Sequence, residues 1–208
     1  EKGVAFEEHT VYTTDPELLK VSPTGKVPAI TTENGAHLSE TTAILEYLEE
    51  QYPETPLLPG NAWQKAHIRN LSYAIACDIH PIDNLRVLKY LSSELNVDDE
   101  AKNKWYHHWV EVGFEKIERM LDSKNTFCAG DSPSLADVCL VPQVFNAIRF
   151  KVDMAAYPKI AAVYQRCNEL TAFIDASLRQ LPVLPTGRTL YAVGGAWRAL
   201  AAAHMNED

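Results

Sequence analysis

The sequence predicts two fold classes in one chain, a small α/β domain followed by an all-α domain, and three observations carry that prediction. Strand-like and helical stretches alternate as far as about residue 51. A cluster of Pro53, Pro56, Pro59 and Gly60 then punctuates the chain like a linker. Every later periodic stretch, to about residue 176, has helical spacing. The domains assigned on this basis are 1–60, 61–181 and a tail, 182–208.

In order, Val4 to Val11 has β-compatible residues broken by an acidic pair, and a short segment from Asp15 to Lys20 leads to the strand-like run Val27 to Thr31. Gly35 marks a turn before His37-Leu38. Ser39 then starts a helix whose apolar positions Ala43, Ile44, Tyr47 and Leu48 share one face. The order is strand, helix, strand, strand, helix. Beyond the linker the helical stretches are Trp63 to Ile79, Pro81 to Glu94, Asp99 to Leu121, Ser134 to Asn146 and Tyr157 to Ala176. In the tail, Thr189 to Val193 is strand-like, Gly194-Gly195 is a turn, and Ala196 to Met205 is a good helix former.

Composition narrows the function classes. With 208 residues, 46% hydrophobic and 23% charged, the chain has ordinary globular proportions. A net charge of −9 repels phosphate backbones and anionic bilayers, which argues against nucleic acid or membrane partners. No apolar run approaches the ~20 residues of a membrane span. The start EKGVAFEEH has no apolar signal stretch. Cys77, Cys128, Cys139 and Cys167 lie far apart with no CxxC pair, so neither a zinc site nor a disulfide framework is expected, and a cytoplasmic location follows.

The segment Cys77 to Leu91 (CDIHPIDNLRVLKYL) carries polar groups and His80-Pro81 where a plain packing helix would not. It resembles the central helix of zeta-class glutathione transferases, the family of maleylacetoacetate and maleylpyruvate isomerases. The resemblance recurs in SPTGKVPAI (Ser22 to Ile30), LSETTAILEYLEEQYP (Leu38 to Pro53) and GDSPSLADVCLVPQVFNAIRFKVD (Gly130 to Asp153), four blocks in family order. It implies a thioredoxin-like N-terminal domain, a helical-bundle C-terminal domain, glutathione as cofactor, a small anionic electrophile as substrate, and a homodimer.

Each candidate residue has a plainer reading beside the functional one. Val27-Pro28 reads physically as a strand-edge turn. The resemblance implies a cis bond that leaves the Val27 backbone free to pair with glutathione. Ser39-Glu40-Thr41 reads as a helix N-cap. A helix N-terminus also suits an anion, so Thr41 is expected to hold the γ-glutamyl carboxylate and Glu40 its amino group. On a continuous helix His80 and Asn84 would share a face and Arg86 would not, although Pro81 can alter that. Spacing favours a capping His80 and a solvated Arg86. The resemblance instead implies that His80 and Arg86 face the pocket, with Asn84 beside them, while a further family arginine is Leu85 here.

Arg149, among Phe145, Ile148, Phe150 and Val152, is either snorkelling to water or serving a buried anion. The resemblance implies the second, a bidentate site for a substrate carboxylate. Ser134-Leu135-Ala136-Asp137 fits a capping box and reads as a folding signal without a catalytic role. His107-His108, with Trp105, Tyr106 and Trp109, is read as core and surface packing and not as a metal or stacking site.

The family activates glutathione with a Ser-Ser-Cys-x-Trp-Arg type segment after its first strand, and no such segment precedes residue 1. Leu190-Tyr191 and Trp197-Arg198 resemble positions in that first unit, with Val193, Gly194 and Gly195 in the places of the hydroxyls and thiol. Two readings of the tail stand open: a circular permutation, which places Thr189 to Val193 between the strands near Val4–Val11 and Val27–Thr31, and an unrelated or disordered extension. The expected function is cis-trans isomerisation of a maleyl-type dicarboxylate, with catalytic Arg149, Arg86 and His80. The alternatives are a general glutathione transferase and a glutathione-binding or scaffold protein that has lost the chemistry.

Overall fold

The computed structural model describes residues 6–11, 15–178 and 189–192. The chain divides into two compact units, one of residues 1–57 with 173–208 and one of residues 58–172. The sequence reading placed these boundaries at 60 and 181.

In the first unit, four strands among the described residues form one sheet in the order β1-β4-β2-β3: β1 (Glu7–Thr10), β2 (Ala29–Thr31), β3 (His37–Ser39) and β4 (Thr189–Ala192). β4 lies parallel to β1, with Glu8 opposite Leu190, and antiparallel to β2, with Ile30 opposite Leu190. The tail strand is therefore interior, at the position the permutation reading assigns to it. Val193 and the helix expected from Ala196 lie outside the described residues. β2 and β3 form a hairpin in which Gly35, at φ +81°, donates its N–H to Thr32 O at 2.9 Å. A residue with a side chain would be strained at that φ.

α1 (Pro16–Val21) starts where local chemistry says it should. Asp15 accepts the Glu17 N–H at 2.9 Å and Pro16 occupies the first turn, where its missing N–H costs nothing. Its inner residues Leu18 and Val21 bury against Val11 and Ala29, with Val27 packed alongside. Leu18 is wholly buried, which contributes roughly 2 kcal/mol. α2 (Thr41–Gln51) directs Ile44 and Leu45 inward.

The second unit is helical: α3 (Ala62–Tyr73), α4 (His80–Asp83), α5 (Leu85–Ser93), α6 (Asp99–Met120), α7 (Leu135–Arg149) and the first part of α8 (Pro158–Leu178). Its core includes Leu71, Ile75, Ile79, Tyr106, Val110, Phe114, Leu140, Val144 and Ile160. The expected capping box is present: the Asp137 carboxylate accepts the N–H and hydroxyl of Ser134, each at 2.8 Å, and the Cys128 N–H, also at 2.8 Å. No helix among the described residues is long and apolar enough to cross a membrane.

The stretch read from sequence as one helix to Ile79 and another from Pro81 is organised differently. After α3 the backbone widens into a π-helical turn over Ala74–Ile79, and the His80 N–H reaches back to Ile75 O. Proline at position 81 has no N–H, and in a regular helix its ring would press on the carbonyl of Cys77. The wide turn removes that conflict. The turn also packs against α6 at Gly113, where a Cβ would overlap the Ile79 side chain. α4 ends after Asp83, and Asn84 adopts extended geometry (φ −73°, ψ 163°) as the N-cap of α5.

Candidate functional site

In the first unit the strand registers gather three segments at one end of the sheet. Ala29, the first residue of β2, lies opposite Ser39, the last of β3, and opposite Tyr191 near the end of β4. Val27-Pro28, which leads into β2, is thus adjacent to Glu40-Thr41, which follows β3, and to the C-terminal end of β4. The Val27-Pro28 bond is cis. Among the described residues no backbone hydrogen bond engages Val27. The preceding loop is fixed by buried Ser22, whose hydroxyl donates to Lys26 O at 2.7 Å.

The N-cap position of α2 is Glu40, not the Ser39 that the sequence suggested, because Ser39 is committed to β3. Glu40 sits at φ +75°, a left-handed conformation that costs a non-glycine residue on the order of 1–3 kcal/mol. Among the described residues no side chain caps the helix, and its first N–H groups point out beyond Thr41. The Glu40 carboxylate accepts from Lys26 Nζ at 3.2 Å on the exposed rim. Among the described residues this corner therefore presents the Val27 backbone without a backbone hydrogen bond, the positive end of a helix, and the Glu40 carboxylate.

In the second unit the candidate residues lie around α4. His80 has a half-exposed side chain, with Nδ1 4.0 Å from Oδ1 of Asp83, whose side chain is only 3% exposed. Buried Gln143, on α7, donates Nε2–H to the other Asp83 oxygen at 2.9 Å. Burial pushes the Asp83 carboxyl up to about 7, against the stabilising hydrogen bonds from Gln143 and its own backbone. Burial lowers the His80 pKa, opposed by the Gln143 amide. Tyr106 stacks on Phe150 with ring centroids 3.8 Å apart, and its hydroxyl is buried without a partner. Its pKa is raised by burial and by Asp83, and Arg149 acts in the opposite sense.

Arg149 ends α7 and is exposed, its guanidinium 5.9 Å from the Phe145 ring centroid, with Nη1 donating to Asn146 Oδ1 at 3.5 Å. Of its two sequence readings, the exposed side chain has the geometry of the snorkelling one. Arg86 is exposed in the first turn of α5, and among the described residues no hydrogen bond or ion pair ties its side chain to His80 or Arg149. Asn84 does not share a helix face with His80, because the helix stops between them. Its Oδ1 instead accepts the N–H groups of Arg86 (3.1 Å) and Val87 (3.4 Å). His107 has a structural bond, Nε2 lying 2.6 Å from Phe150 O, and Trp105 donates to Ile82 O.

Sequence reasoning missed Asp83 and Gln143. The signals were an acidic residue three positions after His80 and a lone amide in the apolar run VCLVPQV.

Residues 1–51 match the glutathione S-transferase N-terminal domain family, and residues 110–166 match the glutathione S-transferase C-terminal domain family. The chain is 42% identical over 185 residues to a maleylpyruvate isomerase of a Ralstonia species, covering 85% of this chain and 86% of that protein. A solved holo structure of a maleylpyruvate isomerase, described as a bacterial glutathione S-transferase of the zeta class, superposes with a TM-score of 0.79 at 39% identity, over 88% of this chain and 90% of that one. A maleylacetoacetate isomerase from Anaeromyxobacter dehalogenans, solved with glutathione in its active site, gives a TM-score of 0.73 at 32% identity over 88% of each chain. With a thioredoxin-like sheet unit, a helical unit and this degree of identity, the chain belongs to the zeta-class glutathione S-transferase family.

Proposed function

We propose that the protein is a glutathione-dependent cis-trans isomerase of a maleyl-type dicarboxylate. The observation that carries the reading is the corner of the first unit, where cis Val27-Pro28 meets the strained Glu40 and the uncapped start of α2. Its donor set fits glutathione. The Val27 backbone suits a peptide strand, the N–H groups at Thr41 suit the γ-glutamyl carboxylate, and Glu40 suits the adjacent ammonium. When bound, glutathione supplies the thiol that adds reversibly to the cis double bond, allowing rotation before elimination to the trans product. The chain's own part is to orient that tripeptide at the sheet end and to neutralise the substrate's carboxylates with Arg149, Arg86 and His80.

The tail strand β4 stands for the first strand of the family's thioredoxin-like domain, a circular permutation supported by its interior position. The protein acts as a homodimer, which sedimentation would test.

The decisive experiment follows the absorbance of maleylpyruvate with and without glutathione, beside a neutral electrophile. Turnover that needs both glutathione and the substrate's carboxylates is expected. Equal turnover of the neutral electrophile would make the protein a general transferase. Glutathione binding without any turnover would make it a binding protein.

A further inference from the structure

We infer that Asp83 and Gln143 are positioning residues for His80, a buried acceptor pair that holds the imidazole with Nδ1 inward and Nε2 outward and shares a proton with it. The inference rests on the isomerase reading for its purpose and on the second unit's geometry for its substance.

Three facts converge. Asp83 is buried, with one oxygen committed to Gln143 and the other turned to within 4.0 Å of His80 Nδ1. Gln143 spends its amide donor on Asp83, and its Oε1 is buried with no donor in hydrogen-bonding geometry. The imidazole is half exposed, with Nδ1 turned to the Asp83 oxygen, and the Gln143 side chain acts on the ring as well. Leaving an amide oxygen buried and unpaired is unfavourable, and a donor from the ring would satisfy it.

When an anion approaches the outer nitrogen, a protonated ring donates on both sides, outward to the anion and inward to Asp83 or Gln143. No outside reagent is needed, because the proton moves between carboxyl and imidazole. Near neutrality the raised Asp83 pKa keeps that proton within the pair. Among the described residues, Tyr106 from α6 lies within electrostatic reach of Asp83, and Arg149 from α7 acts on Tyr106. Asp78 on the π turn and Arg86 on α5 are exposed.

The test is NMR titration of the His80 ring, monitored at Cε1–H and both ring nitrogens, in the ligand-free wild type and in Asp83→Asn. Asparagine keeps the shape and an acceptor for Gln143 but cannot take up the proton. The wild-type ring should report two steps, the upper one near pH 7. Asp83→Asn should retain only the lower step and lower kcat/KM for maleylpyruvate by about tenfold, with a flattened pH profile around neutrality. A single step in the wild type overturns the inference, as do superimposable curves for the two proteins. Absence of turnover in the wild type defeats the isomerase reading instead, and the ring titration still decides the coupling.

Discussion

The corner of the first unit and the α4 cluster of the second are built from opposite materials. At the corner, backbone does the work: a cis bond, a residue at φ +75°, and a helix start that no side chain caps. Around α4, side chains do it: a buried carboxylate, a buried amide and a ring, brought together across 60 residues of sequence. A backbone site depends on where strands and helix ends lie, so it tolerates side-chain changes and fails when the strand scaffold fails. A buried polar site tolerates little at its own residues, because each group removed leaves another unsatisfied.

The largest effect expected from this contrast is pH-linked. Asp83 has its folded pKa raised from 3.8 to about 7 by burial, so between those values the native state binds a proton that the unfolded state has released. Stability therefore falls as pH rises through that window and is fully reduced above about 7, by on the order of 4 kcal/mol before any relaxation. Chemical denaturation of wild type and Asp83→Asn at a series of pH values should show the wild type losing ground to the variant as pH rises. A constant difference would mean that Asp83 ionises freely.

Leu190→Pro tests the backbone side. It removes an N–H from the interior strand β4, which pairs with β1 and β2, and should cost at least about 3 kcal/mol and abolish glutathione binding. Hydrogen exchange should show lost protection in the first unit while α6 and α7 keep theirs. Unchanged exchange in β1 and β2 would refute the interior role of the tail and the permutation with it.

Arg149→Ala should reduce dicarboxylate turnover far more than glutathione affinity, by ~1.5–3 kcal/mol in transition-state stabilisation. Equal losses for neutral and dicarboxylate substrates would remove Arg149 from substrate recognition. The smallest effect is Glu40→Gly, which relieves the positive φ and should stabilise the fold by about 1 kcal/mol while weakening glutathione binding. Calorimetry on the same sample reads both. Tighter binding would show that the carboxylate has no part in the site.

Local sequence determined the elements. The helical spacing of Ala43, Ile44, Tyr47 and Leu48, the Ser134-to-Asp137 box and the proline cluster after residue 52 each act within a few residues, and helix, cap and linker follow them. The polar character of the Cys77-to-Leu91 segment was legible in the same way, as was the unusual Arg149. Tertiary structure decided the rest. The local sequence does not show that a π turn precedes this segment and packs against Gly113 of α6, although Asn84 itself is a good N-cap residue and accepts the Arg86 N–H. Nor does the run VCLVPQV reveal that its amide meets Asp83, because that contact exists only once α7 lies beside α4. Periodicity and capping are governed by neighbours along the chain. A strand's place in a sheet and the partner of a buried polar group are set by surfaces that meet only after collapse, and these are the features on which the candidate site depends.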